Sequence, residues 1–331
     1  MRKLTNLFLM AAFSIGMVAC SSDQDEPVVS NGELQIIEGT IDQLDEVTTR
    51  TTSVVNSSNP DKVSFSISNK DTLGIFTSGG GGAQLSFPLT GSGTSFAFNG
   101  GGWGLKSAYK YAAYMPFSKI NYDRTSKTIP MKYIGQIQNG LNNAAHMGKF
   151  DYQACAGVTP VNDKATFKME RQSAIIVLKL KMPVAATIKS ATISSASGTP
   201  FIKENTLDIS STSIKLTPVS KVKKITLKLE NCTVTANQEF RLYMMAATPV
   251  TIGSNKLRIG ILTSTGDLYN ANLTKYYPTD AATTDWSANT RFCYSATLKK
   301  YTGESPTAFI EDITGSLDQP AVTVPDPGAW N

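Results

Sequence analysis

Histidine is almost absent from this chain: one residue in 331, His146. That excludes any metal site built on several imidazoles and leaves a Ser-His-Asp or Cys-His arrangement a single candidate base. Cysteine is scarce as well. Besides Cys20 there are Cys155, Cys232 and Cys293, an odd number that admits at most one disulfide, at separations unlike the C-x₂-C of a zinc site. The three read as small apolar residues of strands, and neither a metal nor an organic cofactor is implied. Long basic runs are missing too. Lys and Arg number 31 against 26 Asp and Glu, and pairs such as Lys223-Lys224 and Lys299-Lys300 stay short, so nucleic acid is excluded as a partner. No long stretch repeats with a 3.6-residue period, which leaves little room for helices. The run Gly79 to Gly82 has no Lys-Ser/Thr after it and opens no helical pattern, so it reads as a strand connection and not as a phosphate loop.

What is present begins at the N-terminus. Arg2 and Lys3 form a basic n-region, and an apolar run from Leu7 to Phe13 follows. The segment closes on Met17-Val18-Ala19-Cys20. It is too short for a membrane-spanning helix and reads as a secretory signal peptide over residues 1–19. Small and apolar residues directly before Cys20 resemble a bacterial lipobox, in which the cysteine is acylated and becomes the mature N-terminus; the other reading is an ordinary signal peptide that contains a cysteine. Ser21-Ser22-Asp23-Gln24-Asp25-Glu26 resembles the surface-export signal of lipoproteins of Bacteroidota-type bacteria. Loss of Arg2 and Lys3 with the leader lowers the net charge from +5 to +3. Residues 20–50 are polar and acidic and read as a lipidated tether or prosegment. Within them Leu34-Gln35-Ile36-Ile37, with Glu38 and Gly39, reads as one short strand.

From residue 51 the pattern is that of strands. Val63 to Ile67 alternates apolar and polar residues with period two, as a half-buried strand does. Leu73 to Phe76, Phe96 to Phe98 and the aromatic stretch Tyr109 to Phe117 follow. Ala174 to Leu180 is the strongest strand in the chain. Ile188 to Ile193, Ile225 to Leu229, Phe240 to Ala246, Leu257 to Leu262 and Phe292 to Leu298 continue the series. Short strands divided by Gly, Ser, Asn and Pro predict an all-β fold of sandwich type, with one short helix near Asn142 to Met147. His146 falls in that stretch, on an expected surface loop. The length suits two domains, since single cores tend to divide beyond ~250–300 residues. The turn residues Gly157 to Asp163 set the boundary near 160, giving β-sandwiches over 51–160 and 161–303. Residues 304–331, with four prolines, form a C-terminal tail. The aromatics Tyr109, Tyr111, Tyr114 and Phe117, with Phe98 and Trp103, fit either a sugar-stacking surface or core packing.

Several stretches together are similar to one family. Asp71-Thr72-Leu73-Gly74-Ile75-Phe76 resembles a D-x-I-G-V-F strand, with Leu73 for isoleucine. Tyr111-Ala112-Ala113-Tyr114-Met115-Pro116-Phe117 resembles an aromatic Y-x-x-Y-x-P-Y/F strand. A third stretch runs from Phe167 through Met169 and Arg171 to Ala174, with Met169 where a histidine is frequent. The last runs from Trp286 through Ala288 and Asn289 to Tyr294, with Asn289 where glycine is usual. In this order, and with the lipobox, they resemble the fimbrillin family of two-domain surface lipoproteins.

The resemblance implies two tandem transthyretin-like β-sandwiches and a non-enzymatic structural or adhesive subunit of fimbriae. It implies other fimbrial subunits as partners, the outer membrane as anchor through Cys20, and a host or bacterial surface receptor or glycan. In the family a cut after an arginine removes the N-terminal segment and opens a groove, which a strand from another subunit fills. Here Arg50, in Val47-Thr48-Thr49-Arg50-Thr51-Thr52, is the candidate site of processing. The tail is the candidate donor, through Phe309 and Ile313, four apart, and Val322 and Val324, two apart, each pair on one face of an extended chain; Ile310 faces the other way. The competing function is a surface glycan-binding lipoprotein of a nutrient-uptake system, using the same anchor and the aromatics.

Overall fold

A computed structural model describes residues 32, 34, 36–41, 53–67, 71–78, 84–99, 105–117, 127–253, 256–275 and 285–302. Among these residues the chain is all-β, with one short 3-10 helix, Ala145–Phe150, close to the helix expected from the sequence. The strands form where apolar residues alternate or run together. In Thr128–Lys132, Ile129 and Met131 point inward. In Lys164–Lys168, Ala165 and Phe167 do so. The strongest expected strand is Ser173–Lys181. Its first six residues are all buried, as suits a strand covered on both faces.

Two sheets are built mainly by the first half. One has the order Lys164–Lys168, Ile36–Thr40, Ser95–Asn99, Thr90–Ser92. The other has the order Glu170–Arg171, Gln153–Val158, Tyr111–Met115, Thr72–Thr77, Gln84–Pro88. In the second half, Ser173–Lys181 lies between antiparallel Glu239–Ala247 and parallel Thr290–Thr297. A six-stranded sheet is centred on Ala186–Ser195, between Lys224–Val234 and Leu257–Thr263. A third sheet has the order Lys215–Val222, Phe201–Asp208, Thr128–Lys132.

Hydrogen bonding does not divide at the turn near residue 160. Thr128–Lys132 and Ile137–Asn139 pair with Phe201–Asp208 and Lys224–Val234. Lys164–Lys168 and Glu170–Arg171 pair back to Ile36–Thr40 and Gln153–Val158. Residues 164–181 thus supply consecutive strands to three different sheets, and the buried apolar side chains form one cluster reaching from Leu34 to Leu298.

The expected strand over Val63 to Ile67 is shorter. Only Val63–Ser64 pairs, with Val54–Val55, and Ile67 makes an isolated bridge to Gly93. Ser64 and Ser66 are buried with their apolar neighbours, so both sides of this segment are covered.

The family-like stretches are core positions. Gly74 stands opposite Tyr114 in the ladder, and a Cβ added at Gly74 would press on the Tyr114 ring at Cε1. That ring is fully buried and lies 6.1 Å from Phe76 and 6.3 Å from Phe117. The glycine of one stretch is therefore required by the tyrosine of the next. Gly74→Ala is expected to cost ~1–3 kcal/mol as overpacking, read as a lower urea midpoint with unchanged slope. An unchanged midpoint would show that the ring has room to move.

Candidate functional site around the first strand

The short strand anticipated before residue 40 is an interior one. Ile36–Thr40 runs parallel to Lys164–Lys168 in the register Ile36↔Lys164 to Thr40↔Lys168, and antiparallel to Ser95–Asn99 in the register Ile36↔Asn99 to Thr40↔Ser95. Backbone bonds continue past both ends. Leu34 N–H donates to Leu105 O at 2.8 Å, Ile41 N–H to Thr94 O at 2.8 Å, and Met169 N–H to Thr40 O at 2.8 Å. Leu34 and Ile37 are wholly buried and Ile41 nearly so. Glu38 faces outward and pairs with Lys164 at 2.7 Å, while Ile36 is 46 % exposed. Gly39 has no room for a side chain, because a Cβ there would press on the Phe167 carbonyl and lie 2.5 Å from Phe96 Cζ. Only glycine fits between these two neighbours. Local alternation makes this segment a strand; its central place comes from Phe96 and Phe167, supplied from elsewhere in the chain.

Withdrawing such a strand would separate Lys164–Lys168 from Ser95–Asn99. It would bare two rows of backbone groups and three apolar sockets, the features that recruit a replacement strand. The sequence-derived site residues Cys20, Arg50, Phe309, Ile313, Val322 and Val324 lie outside the described residues, as do Ile310, Trp103 and Gly79 to Gly82.

A second cluster ties the family-like stretches together. Arg171, completely buried, sends Nε to Asp151 Oδ1 at 2.5 Å and Nη2 to Asp151 Oδ2 at 3.1 Å. Its Nη1 donates to Asn289 Oδ1 at 3.1 Å, and its guanidinium lies 4.4 Å from the centre of the Phe65 ring. Gln153 Nε2 also donates to Asp151, at 2.8 Å. Asn289 has φ +51°, the left-handed region where glycine or asparagine is favoured, which accounts for both the usual glycine and its replacement here. Three residues before it, Trp286 packs on Phe201 at 5.3 Å and donates Nε1–H to Tyr294 Oη at 2.9 Å. Sequence reasoning singled out Arg171, Asn289, Trp286 and Tyr294. It missed Asp151, because a lone aspartate after a glycine- and lysine-containing turn carries no local mark of burial.

The residues with possible chemistry are dispersed. His146 is not on an exposed loop: it sits on the 3-10 helix with both ring nitrogens buried and without a well-formed hydrogen bond among the described residues. Burial pushes its pKa down to about 4, with the Tyr243 backbone opposing and Lys149 adding to the fall. Cys155, Cys232 and Cys293 form no disulfide among the described residues, and burial raises the pKa of Cys155 and Cys232. Among the described residues no three His, Cys, Asp or Glu side chains gather as a metal site would require. Tyr111 and Tyr114 are buried, which places them in the core and not on a sugar-stacking surface.

The histidine gives a pH dependence. Unfolded, the imidazole titrates near 6.5; folded, near 4. The unfolded chain therefore takes up the proton first as pH falls. The contribution is complete above about pH 6.5, is lost progressively down to about pH 4, and amounts to ~3–4 kcal/mol. His146→Leu is expected to flatten this part of the stability–pH curve relative to wild type. Identical curves between pH 4 and 6.5 would contradict it.

No family model matches the chain, and no curated protein matches it by sequence. Solved structures do. A candidate cell adhesion protein of Bacteroides uniformis is 12 % identical with a TM-score of 0.48, over 80 % of this chain and 96 % of that one. A candidate cell adhesion protein of Bacteroides ovatus is 12 % identical with a TM-score of 0.49, over 82 % and 96 %. The tip fimbrial protein Mfa3 of Porphyromonas gingivalis, with a C-terminal truncation, is 9 % identical with a TM-score of 0.35, over 80 % and 98 %. Likeness at this level assigns no activity.

Proposed function

We propose that this chain is a non-enzymatic structural or adhesive subunit of cell-surface fimbriae, made as a lipoprotein and joined to its neighbours by strand exchange. The observation that carries the reading is the placing of Ile36–Thr40: a short strand in the middle of a sheet, upstream of Arg50 in the sequence. Cleavage after Arg50 cuts its covalent link to the body without touching the body itself, and its departure leaves a groove with unpaired edges. The family-like stretches support the reading because they meet in the core, Gly74 with Tyr114 and Arg171 with Asn289. The names of the solved neighbours agree with it without carrying it. Residues 1–19 are the leader, 20–50 the lipidated prosegment, and 304–331 the donor tail with Phe309, Ile313, Val322 and Val324 among its apolar residues. The partners are other subunits, the outer membrane through Cys20, and a surface receptor.

Electron microscopy of cells with and without the gene tests the proposal. Loss of surface filaments, or of adhesion, is expected on deletion; unchanged filaments and adhesion would refute it. Cys20→Ser is expected to abolish membrane attachment, since each buried CH₂ of an acyl chain contributes ~0.8 kcal/mol. A variant that still sediments with the outer membrane at high salt would disprove the anchor.

A further inference from the structure

The groove of Ile36–Thr40 has a demanding shape. Its occupant presents apolar side chains at the places of Leu34, Ile37 and Ile41, nothing at the place of Gly39, and polar or exposed residues between. Written as a pattern, this is apolar-x-x-apolar-x-Gly-x-apolar. The chain has 25 glycines. With apolar taken as Ala, Val, Ile, Leu, Met, Phe, Trp, Tyr or Cys, two of them carry the full pattern, Gly39 and Gly315. The second instance is Ile310-Glu311-Asp312-Ile313-Thr314-Gly315-Ser316-Leu317, in the tail.

From this we infer that residues 310–317 of a second copy of this chain occupy the vacated groove, in the same direction as the strand they replace. Ile310 takes the place of Leu34, Ile313 that of Ile37, Gly315 that of Gly39 and Leu317 that of Ile41. The intervening residues agree with the exposure of the places they take. Asp312 falls on the position of Ile36, which is 46 % exposed. Thr314 falls on Glu38, whose loss removes a surface ion pair to Lys164, a small term, and a long exposed hydrogen bond from Thr166 at 3.4 Å. Ser316 falls on Thr40, a residue of like size and polarity. A register two residues along would set a side chain against the Phe167 carbonyl and Phe96, and a one-residue slip would turn the apolar set to solvent. The inference assigns the core contact to Ile310, Ile313 and Leu317, in place of Phe309, Val322 and Val324. It rests on the strand-exchange reading and adds to it the segment, the direction and the register.

The test uses the full chain, cut at Arg50 with an Arg-specific protease, and follows polymers by gel filtration and gel electrophoresis. Wild type is expected to release the N-terminal fragment and form polymers. Gly315→Val is expected to lower the polymer yield at least tenfold with an unchanged melt of the uncut monomer, while Phe309→Ser, Val322→Ser and Val324→Ser polymerise as wild type does. A second measurement fixes the register. Glu38 stands opposite Ala97, which is exposed; Thr314→Cys in one copy and Ala97→Cys in another should form an intermolecular disulfide during assembly. Wild type that is cut yet does not polymerise would refute strand exchange itself. Wild type that polymerises while Gly315→Val polymerises equally well, or without the Thr314–Ala97 cross-link, would overturn the register and leave strand exchange standing. Polymers lost in the Val322 or Val324 variants, but kept in Gly315→Val, would assign the groove to the later part of the tail.

Discussion

A chain cut after Arg50 and stripped of its N-terminal fragment in denaturant will refold to a body far less stable than the intact protein, or will not refold alone. The fragment carries Leu34, Ile37 and Ile41, all buried. Each fully buried aliphatic side chain contributes ~1.5–3 kcal/mol, so the loss is about 5–9 kcal/mol before any penalty for the bared backbone of Ser95–Asn99 and Lys164–Lys168. That is comparable with the whole stability of an ordinary domain, ~5–15 kcal/mol. Until a donor strand displaces the fragment, nicking alone should change little, because the fragment stays hydrogen-bonded on both sides. The measurement is a pair of urea melts, nicked against stripped. Stripped protein that melts within a small margin of the nicked form would mean that the strand is dispensable, and that its removal creates no demand for a donor.

The second large effect is expected at Arg171. Its side chain is wholly buried, and Asp151 beside it is 7 % exposed. Arg171→Met leaves Asp151 and the Asn289 amide oxygen facing an apolar group. Breaking a buried pair from one side costs ~3–5 kcal/mol, because an uncompensated charge remains inside. Arg171→Met with Asp151→Asn removes that charge as well and should recover part of the loss, so the two substitutions will not add. Equilibrium unfolding of the two single variants and the double variant measures this. An Arg171→Met cost below about 1 kcal/mol, or strictly additive losses, would show that water or a neighbouring group takes over the carboxylate.

The sequence is most informative where one stretch of chain decides its own structure. The run Ala174 to Leu180 is a strand because it is apolar but for Lys179 and rich in β-branched residues. Thr72–Thr77 is legible for a similar reason, and Tyr111–Met115 through its apolar and aromatic residues. Thr128–Lys132 and Lys215–Val222 were not anticipated. Each contains a proline, Pro130 or Pro218, and each lies at the edge of its sheet, the place where proline is tolerated. Pairing was not legible either. Nothing in Lys164–Lys168 announces that it turns back to Ile36–Thr40, because that register is set by a partner more than a hundred residues away. The candidate site was half legible: Leu34 to Gly39 reads as a strand, but its central position depends on Phe96 and Phe167. His146 looked exposed because its neighbours Asn142, Asn143 and Gly148 are polar or small, and the packing of the short helix buried its ring nitrogens.

The run of residues 164–181 through three sheets has a mechanical consequence. An occupant of the groove is laced in parallel to Lys164–Lys168. A pull on it passes through Met169 into Glu170–Arg171 and then, within two residues, into Ser173–Lys181, the strand held on both sides by nine-residue and eight-residue ladders. Tension along the axis of these strands loads their cross-links in shear, so that many must yield at once. It does not peel them one by one, as it would at a free end. A filament linked through this groove would carry load from one subunit to the next along strands laced to neighbours on both sides.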